Sequence, residues 1–135
     1  ARAEPVVDRA VNWARERLDR EPVLLYATTG VQELEDIQAE LGVAQAGALV
    51  EAALAQIARR LLDCGVQRIV VAGGETSGAV VQALRVEALR IGAPICPGVP
   101  WTQAQGRPLW LALKSGNFGG PEFFADALKI GANTA

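Results

Sequence analysis

The sequence predicts a single α/β domain with a largely parallel sheet. Three observations predict it. Short apolar runs alternate with amphipathic helical stretches. The runs are uninterrupted, as in strands buried on both faces. Two of them end in glycine-rich turns that lead into helices. A length of 135 residues fits one domain of the usual ~100–200.

The elements follow in order. Glu4-Pro5 opens a helix, because proline in the first turn gives up no bonded N–H. Val7, Val11, Ala14 and Leu18 form its apolar stripe, with Asp8, Arg9, Arg15, Glu16 and Arg17 opposite. Trp13 is expected in the core. Pro22 ends this pattern, and Val23–Ala27 reads as a buried strand running into Thr28-Thr29-Gly30. Residues 31–41 carry helical propensity and stop at Gly42. A longer helix is expected from Ala46 to Cys64, with Val50, Leu54, Ile57 and Leu61 inward and Gly65 as its stop. Arg68–Ala72 is β-branched and reads as a second strand. Gly73–Gly78 then forms a loop before a helix over 79–84. Weaker strands are expected at 87–91 and 94–99. Pro97–Thr102 reads as a stiff turn whose Trp101 either packs in the core or walls an adenine. Leu109–Leu113 is a further strand, with Trp110 on an apolar face, and Pro121 starts a last helix through Lys129. Together these elements describe a three-layer, Rossmann-like domain with glycine-rich loops at the carboxyl ends of its strands.

Composition excludes several classes. Half the residues are apolar, which suits a buried core rather than a disordered chain. Thirteen basic against fifteen acidic residues give a net charge of −2 and no basic stripe, so nucleic acid is not an expected partner. No apolar stretch reaches the ~18 residues of a membrane helix, and no signal peptide leads the chain. There is no histidine, which removes His-dependent triads and most zinc sites, and no metal ligand set stands out. Cys64 and Cys96 read as reduced thiols of a cytoplasmic protein. The absence of methionine predicts a piece of something longer.

The two glycine-rich turns carry the chemistry. In open α/β sheets ligands bind beyond the carboxyl ends of the strands. A helix N-terminus there offers unpaired N–H donors and partial positive charge. Gly73, Gly74, Glu75, Thr76 and Ser77 therefore form a candidate phosphate cradle. Glu75 can reach a phosphate-bound Mg²⁺. The plainer alternative is a turn in which Thr76 or Ser77 caps the helix. In the second turn Lys114 supplies a cation, and Ser115, Gly116 and Asn117 supply donors and close backbone approach. Its plain alternative is a tight turn with a solvated lysine. Asp36, Asp63 and Glu51 read as solvated helix faces, and no carboxylate pair stands out as an acid/base team.

Three blocks then carry a resemblance: Val70–Gly78, Pro97–Trp101 and Leu111–Gly120. In this order and spacing they resemble the C-terminal nucleotide-binding domain of the four-carbon acid sugar kinases, long catalogued as a domain of unknown function. The resemblance covers essentially the whole chain, 1–135, and thins before Val43. It implies an ATP- and Mg²⁺-dependent kinase that phosphorylates threonate, erythronate or 3-oxo-tetronate. In that family a separate N-terminal domain binds the sugar acid, and a further hydroxyl-bearing segment lies upstream of the first helix. The motif match implies that Gly73–Ser77 and Gly116 contact ATP. Lys114, Ser115 and Asn117 are added from loop chemistry. No catalytic base is assigned, and the piece alone is expected to be inactive. A domain without its partner is expected to expose apolar surface and to favour homo-oligomers.

Other readings make different predictions. A non-catalytic nucleotide- or phosphate-sensing module would bind ATP without transfer. A dinucleotide domain needs an acidic residue ~20 positions beyond the glycine loop, and that position is Pro94. A purely structural or oligomerisation domain leaves the two glycine-rich turns unexplained.

Overall fold

The computed structural model describes residues 4–27, 39, 42–115 and 120–130. Its elements are α1 (Glu4–Arg15), α2 (Val43–Asp63), β1 (Arg68–Ala72), α3 (Gly74–Ala83), β2 (Leu89–Cys96), β3 (Val99–Ala104), β4 (Trp110–Lys114) and α4 (Phe123–Ile130). The four strands form one sheet in the order β1-β4-β3-β2. Among the described residues only β1 and β4 run parallel; β3–β4 and β2–β3 are antiparallel. The expected largely parallel sheet is thus corrected to a mixed one. The reason is local: Pro97-Gly98 alone joins β2 to β3, and a two-residue connection permits only a hairpin.

The pleat sorts side chains to two faces. Val71, Leu111 and Ala104 meet Val80 and Leu84 of α3 and Ala55 and Ala58 of α2. On the other face Trp101 and Ala112 meet Ala127 of α4. The registers agree, since Val71 pairs with Leu113 and Trp101 with Ala112. A third cluster joins α1 (Val7, Val11, Ala14) to Ile57 and Leu61 of α2. Asp8 and Arg60 add an exposed ion pair across the same two helices.

Several expectations change. Val23–Ala27, expected as a buried strand, belongs to no regular element and joins no strand among the described residues. The expected helix over 31–41 lies almost wholly outside the described residues. In α2, Ile57 and Leu61 are buried, but Val50 is 41% exposed, because the α1 contact ends before that turn. Trp13 is 42% exposed rather than in the core, and Arg17 lies over its ring at 4.4 Å. Trp110 is partly buried against the α4-side cluster. The two weak strands expected at 87–91 and 94–99 are one strand, β2. Pro94 sits in it at register shifts, which an edge strand tolerates because it needs no inward N–H there. Of the expected stiff turn, Pro97-Gly98 is the β2–β3 turn and the rest opens β3; Trp101 is fully buried, so it walls no adenine.

Candidate functional site

The site is built by the parallel pair β1–β4. Parallel strands end on the same side, so Ala72 and Lys114 stop opposite each other. The Gly73 backbone N–H donates to the Lys114 carbonyl at 2.7 Å, which fastens the two strand ends together. Gly73 has φ 107° and ψ 130°, a conformation open in practice only to glycine. That turn swings the chain directly into α3.

The helix therefore begins earlier than expected. Gly74 to Ser77 are its first turn, not a loop before it. Neither Thr76 nor Ser77 is the cap: Gly73 holds that position and has no side chain with which to cap the first turn. The first intrahelical bond is from the Ser77 N–H to the Gly73 carbonyl at 2.8 Å. The N–H groups of Gly74, Glu75 and Thr76 thus have no acceptor within the helix. They stand at the positive end of the helix dipole, beside the end of β4.

The second strand end completes the edge. A Cβ placed on Gly74 would lie 3.8 Å from the Ser115 Cβ, so the two turns are neighbours. Lys114 is partly buried, and its Nζ lies 5.9 Å from the centre of the Phe123 ring. Ser115 and Glu75 are exposed. Ser77 is 8% exposed, and its Oγ has no hydrogen-bond partner among the described residues. Gly116 and Asn117 lie outside the described residues.

One feature at this edge escaped the sequence. The Glu51 carboxyl of α2 lies beside that of Glu75 in the first turn of α3, close enough for the two to share a proton. Its carboxyl is held above the usual carboxylate value, first by a hydrogen bond with Glu75, then by partial loss of water and repulsion from Glu75. Glu51 remains on a solvated helix face as expected, but beside a second carboxylate. The two positions lie on separate helices, and nothing local in the sequence couples them. Asp63, by contrast, is exposed and pairs with Arg59 at 2.7 Å, as a surface residue should.

Two shallow clefts, of about 290 and 220 Å³, lie away from this edge. Arg85, Glu87, Gln105 and Arg107 line the larger, and Leu62, Gln67 and Pro108 the smaller. The larger lies at the C-terminal end of α3, opposite the Gly73 edge. Among the described residues no cluster of three or more acidic or cysteine side chains could hold a metal ion alone. No described helix is long and apolar enough to cross a membrane.

Comparisons with known proteins give the family of the chain. A family model described as a nucleotide-binding C-terminal domain matches residues 1–124. The chain is 57% identical over 136 residues to a 3-oxo-tetronate kinase of Pseudomonas savastanoi pv. phaseolicola, covering 100% of this chain and 31% of that protein. It is 60% identical over 130 residues to a 3-oxo-tetronate kinase of Cupriavidus necator, covering 96% and 30%. The crystal structure of a Haemophilus influenzae protein superposes with a TM-score of 0.82 at 41% identity, over 92% of this chain and 30% of that one. The chain spans about 30% of the length of the curated relatives it matches.

Proposed function

The chain belongs to the nucleotide-binding C-terminal domain family, and from that premise we propose that the edge formed by Gly73 and Lys114 binds the phosphates of ATP. The observation that carries this reading is the uncapped first turn of α3. Its three N–H groups have no acceptor in the helix and stand beside the end of β4. A glycine cap leaves them to a ligand, where a serine or aspartate cap would consume one.

The proposed binding residues are Gly73, Gly74, Glu75, Thr76, Ser77, Lys114, Ser115, Gly116 and Asn117. The N–H groups would hold phosphate oxygens, and Lys114 would offset their charge. Glu75 would approach a phosphate-bound Mg²⁺. Helices on both faces of the sheet, with ligand contacts beyond parallel strand ends, support a Rossmann-like reading of this domain.

Residues 1–135 would then form the nucleotide half of a cytoplasmic kinase. Relatives named 3-oxo-tetronate kinase support a four-carbon sugar acid as substrate, 3-oxo-tetronate first and threonate or erythronate after it. ATP supplies the phosphoryl group, and a substrate hydroxyl held by an N-terminal domain receives it. This domain's part is positioning and charge neutralisation.

The test is calorimetric titration of the full-length protein with ATP–Mg, with NAD as control. ATP should bind and NAD should not. Gly74→Val pushes branched methyls toward Ser115 and should weaken ATP by about tenfold or more, ~1.4 kcal/mol. Gly116→Val should raise the KM for ATP and lower turnover; unchanged values would sink the Gly116 assignment. Binding without phosphoryl transfer to any of the three acids would instead favour a sensing module.

A further inference from the structure

Among the described residues two polar side chains are buried, Ser77 and Thr102. Their hydroxyls fare differently. Thr102 Oγ1 donates to the Leu111 carbonyl at 2.7 Å. Ser77 is 8% exposed, and its Oγ has no partner among the described residues. A helical serine commonly turns its hydroxyl to the carbonyl four residues back. Here that carbonyl belongs to Gly73. It accepts the Ser77 N–H at 2.8 Å, and the hydroxyl forms no bond with it. A buried donor without an acceptor lowers stability and calls for a reason.

The position of Ser77 supplies one. Val80 and Leu84, three and seven residues on, are each 2% exposed and pack with β1, β4 and α2. Ser77 continues that stripe, so it lies under the first turn on the sheet side. Helical Cα–Cβ bonds tilt toward the N-terminus. The tilt carries the hydroxyl toward Gly73 and away from the core around Leu84. Ser77 stands three residues behind Gly74, about 4.5 Å of helix rise. Its hydroxyl is thus aimed at the corner that the N–H groups of Gly74, Glu75 and Thr76 face. The backbone acceptor of that corner is already occupied, because the Lys114 carbonyl takes the Gly73 N–H at 2.7 Å.

We propose that the Ser77 hydroxyl donates to a phosphate oxygen of the bound nucleotide and stays unpaired in the free domain. The inference rests on the reading of the Gly73–Lys114 edge as a nucleotide site. It gives the ligand a side-chain donor from inside the helix, besides the backbone donors at its tip. A charged phosphate oxygen suits this role, since it accepts a stronger bond than a neutral carbonyl does. One hydroxyl then has two effects of opposite sign. It weakens the free domain and strengthens the complex, as groups placed for a ligand rather than for the fold do.

Ser77→Ala and Thr102→Val, each made in the full-length protein, test this. Alanine favours a helix, so the first substitution does not threaten α3. Calorimetry measures the affinity for ATP–Mg and for inorganic tripolyphosphate. Amide exchange at Val80 and Leu84 reports the opening of α3 in the free protein. Ser77→Ala should weaken both ligands by about tenfold or more and should not speed exchange at either amide. Thr102→Val removes a paired hydroxyl and should leave both affinities unchanged. Equal ATP affinity in parent and Ser77→Ala overturns the inference and leaves the nucleotide reading standing. Faster exchange in Ser77→Ala means that the hydroxyl is paired in the free protein, which also overturns it. A loss confined to ATP overturns the phosphate assignment, and an equal loss in Thr102→Val overturns the special place of Ser77. A parent that binds neither ligand removes the nucleotide reading, and this inference with it.

Discussion

Gly65 and Arg85 hold the same position at the ends of two successive helices. Each is the left-handed residue after the cap, with φ 95° and 55°. After α2, Gly65 donates to the Leu62 carbonyl at 3.0 Å and Val66 to Leu61 at 3.3 Å. After α3, Arg85 donates to Gln82 at 3.1 Å and Val86 to Val81 at 3.2 Å. Both are Schellman endings, but only one uses glycine. A left-handed L-residue costs ~1–2 kcal/mol. Arg107 supports the strained end by donating from Nη1 to the Leu84 carbonyl at 2.7 Å. Arg85→Gly should therefore raise stability by about 1 kcal/mol in urea denaturation. A variant no more stable than the parent would contradict this account.

Trp101 is the pin of the opposite face. Its indole N–H donates to the Ala127 carbonyl at 3.1 Å in a buried setting. Ala127 is among the last four residues of α4, whose carbonyls find no N–H donor inside the helix. Trp101→Phe keeps most of the ring volume and removes the donor. It should lower stability by ~1–3 kcal/mol, the cost of a buried carbonyl left unpaired. Equal thermal midpoints for the two proteins would rule this out.

Gly73→Ala isolates backbone strain. A Cβ there would lie 3.5 Å from the Thr76 Oγ1, an ordinary contact, so no clash arises. What remains is the φ of 107°. The substitution should destabilise the domain by ~1–3 kcal/mol. It should also weaken ATP, because the turn sets the direction of the first-turn N–H groups. A fully stable Gly73→Ala protein would mean that the turn relaxes without cost.

Glu51 gives the domain a pH signature. Its carboxyl is held above the usual 4.5, chiefly by the hydrogen bond with Glu75. The folded chain thus keeps this proton to higher pH than the unfolded chain does. The contribution is complete below pH 4.5 and is lost as pH rises through the raised value of Glu51. Glu51→Gln, which cannot titrate, should flatten that part of the stability-against-pH curve. Parallel curves for parent and variant would exclude the linkage.

Legibility followed locality. β1 and β4 were readable because Ile69-Val70-Val71 and Leu111-Ala112-Leu113 lie in a sheet covered on both sides. α1 was readable from Val7, Val11 and Ala14, and α2 from Ile57 and Leu61. β2 and β3 were obscured by Pro94 and Pro100, which signal breaks unless an edge strand or a hairpin accommodates them. Strand direction is not written in an apolar run, but the short Pro97-Gly98 link did forbid a crossover there. Trp13 misled because its size suggested burial, although it lies off the Val7–Val11–Ala14 stripe and its ring is covered by Arg17 instead. At the site, Gly73 and Lys114 were legible as strand-end residues, whereas the contact of Glu51 with Glu75 exists only once α2 packs on α3.

The mixed sheet also sets an order of assembly. β2 and β3 need only close a two-residue turn, and β4 reaches β3 through a short loop. β1 must wait for α3, β2 and β3 to be placed before Arg68 can find Trp110. Loop-closure entropy makes that pairing the one with the longest chain to close among the sheet's ladders, and we expect it to form late. The corner that holds Gly73 beside Lys114 is thus the last part of the sheet to form, and a nascent chain acquires its ligand edge only after its hairpin is complete.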